Sequence, residues 1–333
     1  MIPLAYRGMG SLVSAGDFID LFWKIRNKGF STLYSLFHLS NQARTTRKWN
    51  TISSTSDFWI IPEVRRRWNE KCTGDPALEY EDYLVSKYFS GSAGLKMLSV
   101  GCGTGARERK FARYPNFSLI EGIDLAENLV KEARVGAAKP GLENIKYHVG
   151  DFEKHRFDSG NYDLILFNSS LHHFDHIHSL IREKILPILK KDGFLIIFEF
   201  VGPARLQWTK QQLDFTNRIL HSLPENYKIR YGSKLAKRKV YRPGLLRMML
   251  VDPSEAIDSE TIIPAIHKHF RILEEKKVGW DITHLLFKDI AHNFLNNRED
   301  TKSVISFIFE QEERYLAETG RSDAVFGVYQ KKE

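Results

Sequence analysis

The sequence predicts an α/β fold in which a mostly parallel sheet carries helices on both faces. Three observations lead there. From Leu95 onward, short apolar runs alternate with segments of helical periodicity, the rhythm of right-handed strand–helix–strand crossovers. A glycine-rich stretch, Ser99-Val-Gly-Cys-Gly-Thr-Gly105, separates the first such run from the first helix. Two carboxylates, Asp124 and Asp151, follow the second and third runs, where an open parallel sheet gathers its ligand.

The elements follow in order. Residues 1–92 show no strand–helix rhythm and read as a mainly helical N-terminal extension, either packed over the core or closing the substrate pocket. Within it Phe18, Leu21, Phe22 and Ile25 recur at helical spacing, and Arg44, Arg47 and Lys48 follow. Residues 93–333 form the main domain. Strands are expected over 96–100, 117–123, 145–149, 162–167 and 194–198, and helices over 106–113, 126–138 and 178–190, the last stopped by Lys191-Asp-Gly193. An insertion over 203–260 interrupts the rhythm, with a helix near 210–220. Beyond it come a helix at 260–269, a strand at 271–277, a helical insertion over 281–320 with helices at 285–295 and 302–316, and a last strand at 324–329.

Bulk properties bound the function. A chain of 333 residues with 42% hydrophobic and 27% charged content suits one large globular α/β domain with additions, or two modest domains. Only Cys72 and Cys102 are present, which excludes a disulfide framework and zinc-type cysteine pairs and points to a reducing, cytoplasmic setting. The most apolar stretch, 194–198, is cut by Glu199 and is too short to span a bilayer; the N-terminus lacks the basic and apolar regions of a signal peptide. A formal charge of +8 permits an anionic partner without identifying one.

The glycines at 101, 103 and 105 allow positive φ and close approach of a ligand to the backbone, and the helix that follows offers unpaired N–H groups. Asp124 ends the second strand 19 residues after Gly105, where a carboxylate can accept both ribose hydroxyls of a nucleoside. Gly101-Cys-Gly-Thr-Gly-Ala106 formally fits a dinucleotide fingerprint as well. Two features favour another nucleoside. Asp151, in Val149-Gly-Asp-Phe152, can accept from an adenine amino group while Phe152 flanks the ring. The fourth strand runs into the polar cluster Asn168-Ser-Ser-Leu-His-His173 at the strand ends.

The whole set, Leu98–Gly105, Gly122-Ile-Asp124, Gly150-Asp-Phe152, Tyr162–Leu166 and Lys191-Asp-Gly-Phe194, resembles the class I methyltransferases that use S-adenosylmethionine. The resemblance implies a Rossmann-like sheet. It also implies a cofactor site built from Gly101, Cys102, Gly103, Gly105, Asp124, Asp151, Phe152 and Asn168: the glycines beside the methionine part, Asp124 at the ribose, and Asp151 with Phe152 at the adenine. Many members carry a carboxylate where this chain has Ser99, whose hydroxyl can instead bond backbone amides. Arg65-Arg-Arg-Trp-Asn, Thr73-Gly-Asp-Pro76, Val201–Trp208 and Asp252-Pro-Ser-Glu-Ala256 are similar to bacterial members associated with glycan or secondary-metabolite assembly.

Catalysis is expected at His172 or His173, since histidine titrates near neutrality and can accept a hydroxyl proton; the alternative is that one packs and the other caps a helix. His172 and His176 are four apart, but no metal is expected because no carboxylate–His–His motif is matched. Glu199, at the end of the fifth strand, is either a substrate-orienting group or a solvated strand end. Trp208 is either a pocket wall or core, and Arg247 is, with Glu199 and Trp208, a candidate substrate contact. The basic run from Lys228 to Arg247, with Lys237, Arg238 and Lys239 at its centre, is either a solvated face or a site for an anionic acceptor. The expected reaction is methyl transfer to a hydroxyl, or to an amine, of a small-molecule or glycan-linked acceptor. Nucleic-acid methylation is disfavoured by the lack of an Asn-Pro-Pro-aromatic tetrad. A nicotinamide-dependent oxidoreductase and a non-catalytic scaffold on the same fold are the remaining alternatives.

Overall fold

A computed structural model describes residues 12–18, 56–139 and 141–332. The β-strands are β1 (Leu95–Val100), β2 (Phe117–Asp124), β3 (Ile145–Val149), β4 (Tyr162–Asn168), β5 (Leu189–Phe200), β6 (Phe270–Gly279) and β7 (Ala324–Lys331). They form one sheet in the order β3-β2-β1-β4-β5-β7-β6. The first five are parallel, and β7 runs antiparallel between β5 and β6. The chain leaves β1 toward β2 on one side and returns to β4 on the other, so the switch point lies at the carboxyl ends of β1 and β4.

Period-two alternation divides the central strands between two apolar layers. Met97, Leu164, Leu166, Ile196 and Phe198 face one; Leu98, Val100, Ile165, Phe167, Leu195 and Ile197 face the other. The first layer is covered by α1 (Pro62–Thr73), α2 (Tyr80–Tyr88), α3 (Ala106–Phe111), α4 (Glu127–Ala138), α6 (Lys210–Ser222), α9 (Thr283–Phe287) and α10 (Glu299–Thr319). The second is covered by α5 (177–188) and α8 (Ile262–His269). A short helix, α7 (Leu245–Val251), lies in the 203–260 insertion.

Three expectations are corrected. The helix expected to 190 ends at Ile188 and contains a π-type turn over Ile181–Ile185. Lys191-Asp-Gly193 therefore does not stop a helix. It bulges from within β5, whose pairing jumps from Tyr162↔Leu189 to Leu164↔Phe194, with Asp192 at φ 63. The single helix expected over 285–295 is split into α9 and a 3-10 turn at Ala291–Phe294. The break has a cause: the buried Lys237 ammonium takes the carbonyls of Leu285, Leu286 and Lys288 at 2.9, 3.0 and 2.7 Å, and Asp289 turns left-handed at φ 68.

Residues 56–92 share the apolar layer of the sheet. Trp68 of α1 packs on Phe58, Phe198 and Trp280. Of the amphipathic pattern expected near the N-terminus, Phe18 is exposed, while Leu21, Phe22, Ile25, Arg44, Arg47 and Lys48 lie outside the described residues. Residues 12–17 meet the start of α7: Gly244 N–H donates to Asp17 Oδ1 at 3.0 Å and Leu246 N–H to the Leu12 carbonyl at 3.0 Å. Among the described residues, no helix is long and apolar enough to cross a membrane.

Candidate active site

The loop after β1 turns on left-handed glycines. Gly101, at φ 72, lies so close to the turn after β4 that a Cβ would stand 2.4 Å from Ser170 Cβ. A Cβ on Gly103, at φ 53, would meet nothing within 4 Å among the described residues. Ser170 Oγ in turn donates to the Val100 carbonyl, tying the two strand ends together. Cys102 is buried against Gly122 of β2, and burial pushes its thiol well above the ordinary range.

Asp124 ends β2 beside this loop. Its Oδ2 accepts from Gly103 N–H at 2.9 Å and its Oδ1 from Ala126 N–H at 2.8 Å, just ahead of α4. Burial raises the carboxyl pKa, and the two backbone donors oppose that shift. Ser99 does not bond backbone amides as expected. Its hydroxyl donates to Glu108 of α3, so the missing strand carboxylate is replaced from the helix; burial pushes Glu108 up to about 7. Asp151 forms an Asx turn to Glu153 N–H at 3.0 Å and pairs with Lys154 at 2.9 Å. Phe152 is buried against Phe157, Phe167 and Phe174. Asn168 Oδ1 accepts from Tyr80 OH at 2.8 Å, a partner from α2 that no local pattern signals.

Past Asn168 the chain turns left-handed at Ser169 (φ 54) into a 3-10 turn, Leu171–His173. Glu199 is not a solvated strand end: it is 0% exposed. Its Oε1 accepts from Ser170 N–H and from Leu171 N–H at 2.7 Å, and its Oε2 lies 2.7 Å from His172 Nδ1. A carboxylate with two backbone donors on one oxygen fixes the third donor as Nδ1–H, so in the neutral ring Nε2 of His172 carries the lone pair. That Nε2 stands 3.7 Å from Glu255 Oε1. His173 Nδ1 lies 3.1 Å from Ser254 Oγ, and Ser254 Oγ gives its proton to Asp252 Oδ1 at 2.7 Å. The 252–256 turn is held by the buried Arg205, whose guanidinium reaches the carbonyls of Pro253 and Glu255. His176, by contrast, points outward toward Asp175 at 3.8 Å, so the His172–His176 pair does not form. Among the described residues, His172, His173 and Glu255 could hold a metal ion.

Comparison with known proteins adds to this geometry. Residues 91–262, slightly more than half of the 333, match the methyltransferase-domain family. The chain belongs to this family of S-adenosylmethionine-dependent methyltransferases. Among curated relatives, the uncharacterized methyltransferase YcgJ of Bacillus subtilis is 27% identical over 32% of this chain and 42% of its own length. The malonyl-[acyl-carrier protein] O-methyltransferase of Bacillus cereus is 25% identical over 35% of this chain and 42% of its own. This chain thus spans less than half the length of these relatives. Among solved structures, a Haemonchus contortus phosphoethanolamine N-methyltransferase 2 has a TM-score of 0.50 at 15% identity, covering 89% of this chain and 61% of that one; it shares the fold.

The chain fits the cofactor of that family. Gly103 leaves space where a side chain would intrude, Asp124 presents a carboxylate at the same loop, and Asp151, Phe152 and Asn168 line the neighbouring strand ends. The methyltransferase's acceptor candidates fare differently. Trp208 is buried in the aromatic layer, edge-on to His284 at 5.9 Å. Arg247 is half-buried on α7. The basic run is neither a solvated face nor an open anion site as a whole: Lys237 is buried among carbonyls, Arg230 pairs with Asp289, and Lys228 and Arg238 both meet Glu225. Burial pushes the Lys237 ammonium down to about 7.

Proposed function

We propose that this methyltransferase moves a methyl group from S-adenosylmethionine to a hydroxyl of a small-molecule or glycan-related acceptor, with an amine as the other acceptor class. One observation carries the hydroxyl reading: the buried Glu199–His172 hydrogen bond at the carboxyl edge of β4 and β5, against the glycine loop. When bound, the cofactor supplies an already activated methyl group. Asp124 accepts the ribose hydroxyls, Asp151 and Phe152 receive the adenine, and Gly101, Cys102, Gly103, Gly105 and Asn168 border the rest. Glu199 is a positioning residue. It holds His172 Nδ1–H, so that Nε2 takes the acceptor's hydroxyl proton as the oxygen attacks. His173 lies beside it, at 4.2 Å between ring centroids.

Residues 12–17 and the 203–260 insertion cover the acceptor side, a reading supported by the bonds from Gly244 and Leu246 to Asp17 and Leu12. Arg247, on α7, is the insertion's candidate acceptor contact. The engaged basic residues do not favour an anionic nucleic-acid substrate. Two buried free thiols suit a cytoplasmic setting.

The test is transfer of labelled methyl from S-adenosylmethionine into a panel of hydroxylated and amino small molecules and into total RNA. Label in a hydroxylated small molecule is expected. With that acceptor, His172→Ala should lose about 10²–10⁴-fold in turnover and recover part of it with added imidazole. Label confined to RNA, or full turnover in His172→Ala, overturns the reading.

A further inference from the structure

We infer that His172, His173 and Glu255 form a binding site for one first-row divalent transition cation such as Zn²⁺. One ligand atom from each of these residues lies within 4.8 Å of the other two. The 3.7 Å between His172 Nε2 and Glu255 Oε1 is too long for a hydrogen bond. It is close to the edge of about 3.4 Å that two ligands share around a tetrahedral zinc with bonds near 2.1 Å.

The tautomers carry the argument further. His172 gives Nδ1–H to Glu199 at 2.7 Å. Ser254 spends its only proton on Asp252 at 2.7 Å, so at 3.1 Å its oxygen can only accept from His173 Nδ1–H. In their neutral forms both rings therefore carry their lone pairs on Nε2. Each Nδ1 is anchored on an oxygen, and for His172 that oxygen is a fully buried carboxylate. Metal-ligating histidines show this outer arrangement, in which the far nitrogen fixes the tautomer and raises the basicity of the ligating one.

The third ligand is positioned independently. Arg205 bonds the carbonyls on either side of Ser254, and Ile257 N–H donates to the His172 carbonyl at 3.2 Å, which holds the Glu255 turn against the histidine turn. Two neutral imidazoles and a carboxylate make the donor set of open zinc sites, which keep a fourth position for water or another ligand. With Glu199 behind His172, the two carboxylates balance the charge of a divalent ion.

The consequence rests on the proposed function in one respect. His172 Nε2 is the atom assigned the acceptor's proton, so an occupied site removes the base and suppresses methyl transfer.

The experiment uses the full, untagged chain stripped with a chelator. ZnCl₂ is titrated by calorimetry and, separately, followed by thermal unfolding. One equivalent should bind, and Zn²⁺ should raise the unfolding temperature. Glu255→Gln and His173→Gln should each weaken binding at least ~100-fold, and Ser254→Ala, which keeps all three ligands, by roughly 10–100-fold. The metal-free unfolding temperature of each variant shows that it is folded. No binding below about 0.1 mM, or binding that Glu255→Gln leaves unchanged, overturns the site. With an acceptor in hand, inhibition by Zn²⁺ that a chelator reverses supports both the site and its consequence. Stimulation by Zn²⁺ upholds the site and overturns the proton-accepting role of His172.

Discussion

Replacing Asp124 by Asn separates the two tasks that the carboxylate's position allows, starting a helix and holding the cofactor's ribose. In the native chain both oxygens accept, from Gly103 N–H at 2.9 Å and from Ala126 N–H at 2.8 Å. Asparagine keeps the shape but turns one acceptor into a donor, which then faces a backbone N–H. One buried amide loses its partner, at a cost of about 1–3 kcal/mol of stability. The ribose hydroxyls lose a charged acceptor, worth about 1.5–3 kcal/mol, which corresponds to roughly 10–150-fold in dissociation constant. Titration calorimetry with S-adenosylhomocysteine reads the second effect and needs no acceptor. Thermal unfolding without ligand reads the first. Both should move, and Asp124→Ala should move affinity in the same direction. If the unfolding temperature falls while affinity for S-adenosylhomocysteine stays within twofold, Asp124 is a helix cap alone and the ribose assignment is refuted.

Two further outcomes are expected. Gly101→Ala places a Cβ 2.4 Å from Ser170 Cβ at φ 72 and should lower the unfolding temperature by several degrees. Gly103→Ala meets no atom within 4 Å among the described residues, so beyond a strain of about 1–3 kcal/mol its main effect should be weaker S-adenosylhomocysteine binding; equal behaviour of the two variants in both assays would refute the division of roles. Burial holds Glu108 up to about 7, above its ordinary value of 4.5. Its contribution to stability is therefore complete below about pH 4.5 and declines as pH rises toward 7, because the unfolded chain ionises first. Glu108→Gln should flatten the fall of unfolding temperature across that window, and an unchanged slope would show that Glu108 ionises normally in the folded chain.

How much of this architecture was legible in the sequence depends on sequence distance. The glycine loop and Asp124 lie close together in the chain and are linked by adjacent parallel strands, so spacing alone brings them together. The five parallel strands follow from alternation, and even the misread 190–193 segment sits where a break was expected; only the nature of the break, a bulge rather than a helix stop, depended on strand pairing. For Glu199 the sequence leaves substrate orientation and a solvated strand end both open, and tertiary structure removes the second: β7 covers β5, pairing Glu199 with Val325, and the turn after Asn168 delivers three donors to it. Lys237 departs from both a solvated face and an anion site for a similar reason, since carbonyls about 50 residues onward, at Leu285, Leu286 and Lys288, take its ammonium.

The two halves of the candidate site are thus encoded differently. The cofactor half rests mainly on the ends of adjacent strands, the glycine loop after β1 and Asp124 at the end of β2, with Ser170 packed on Gly101. The histidine half rests on tertiary meetings: Glu199 from β5, and Ser254, Glu255 and Arg205 from the 203–260 insertion. A change in that insertion can alter what stands beside His172 Nε2 without touching Asp124 or Gly103. On a fold that hosts many chemistries, the insertion is therefore the part expected to set the acceptor and to decide whether Nε2 meets a proton or a metal ion.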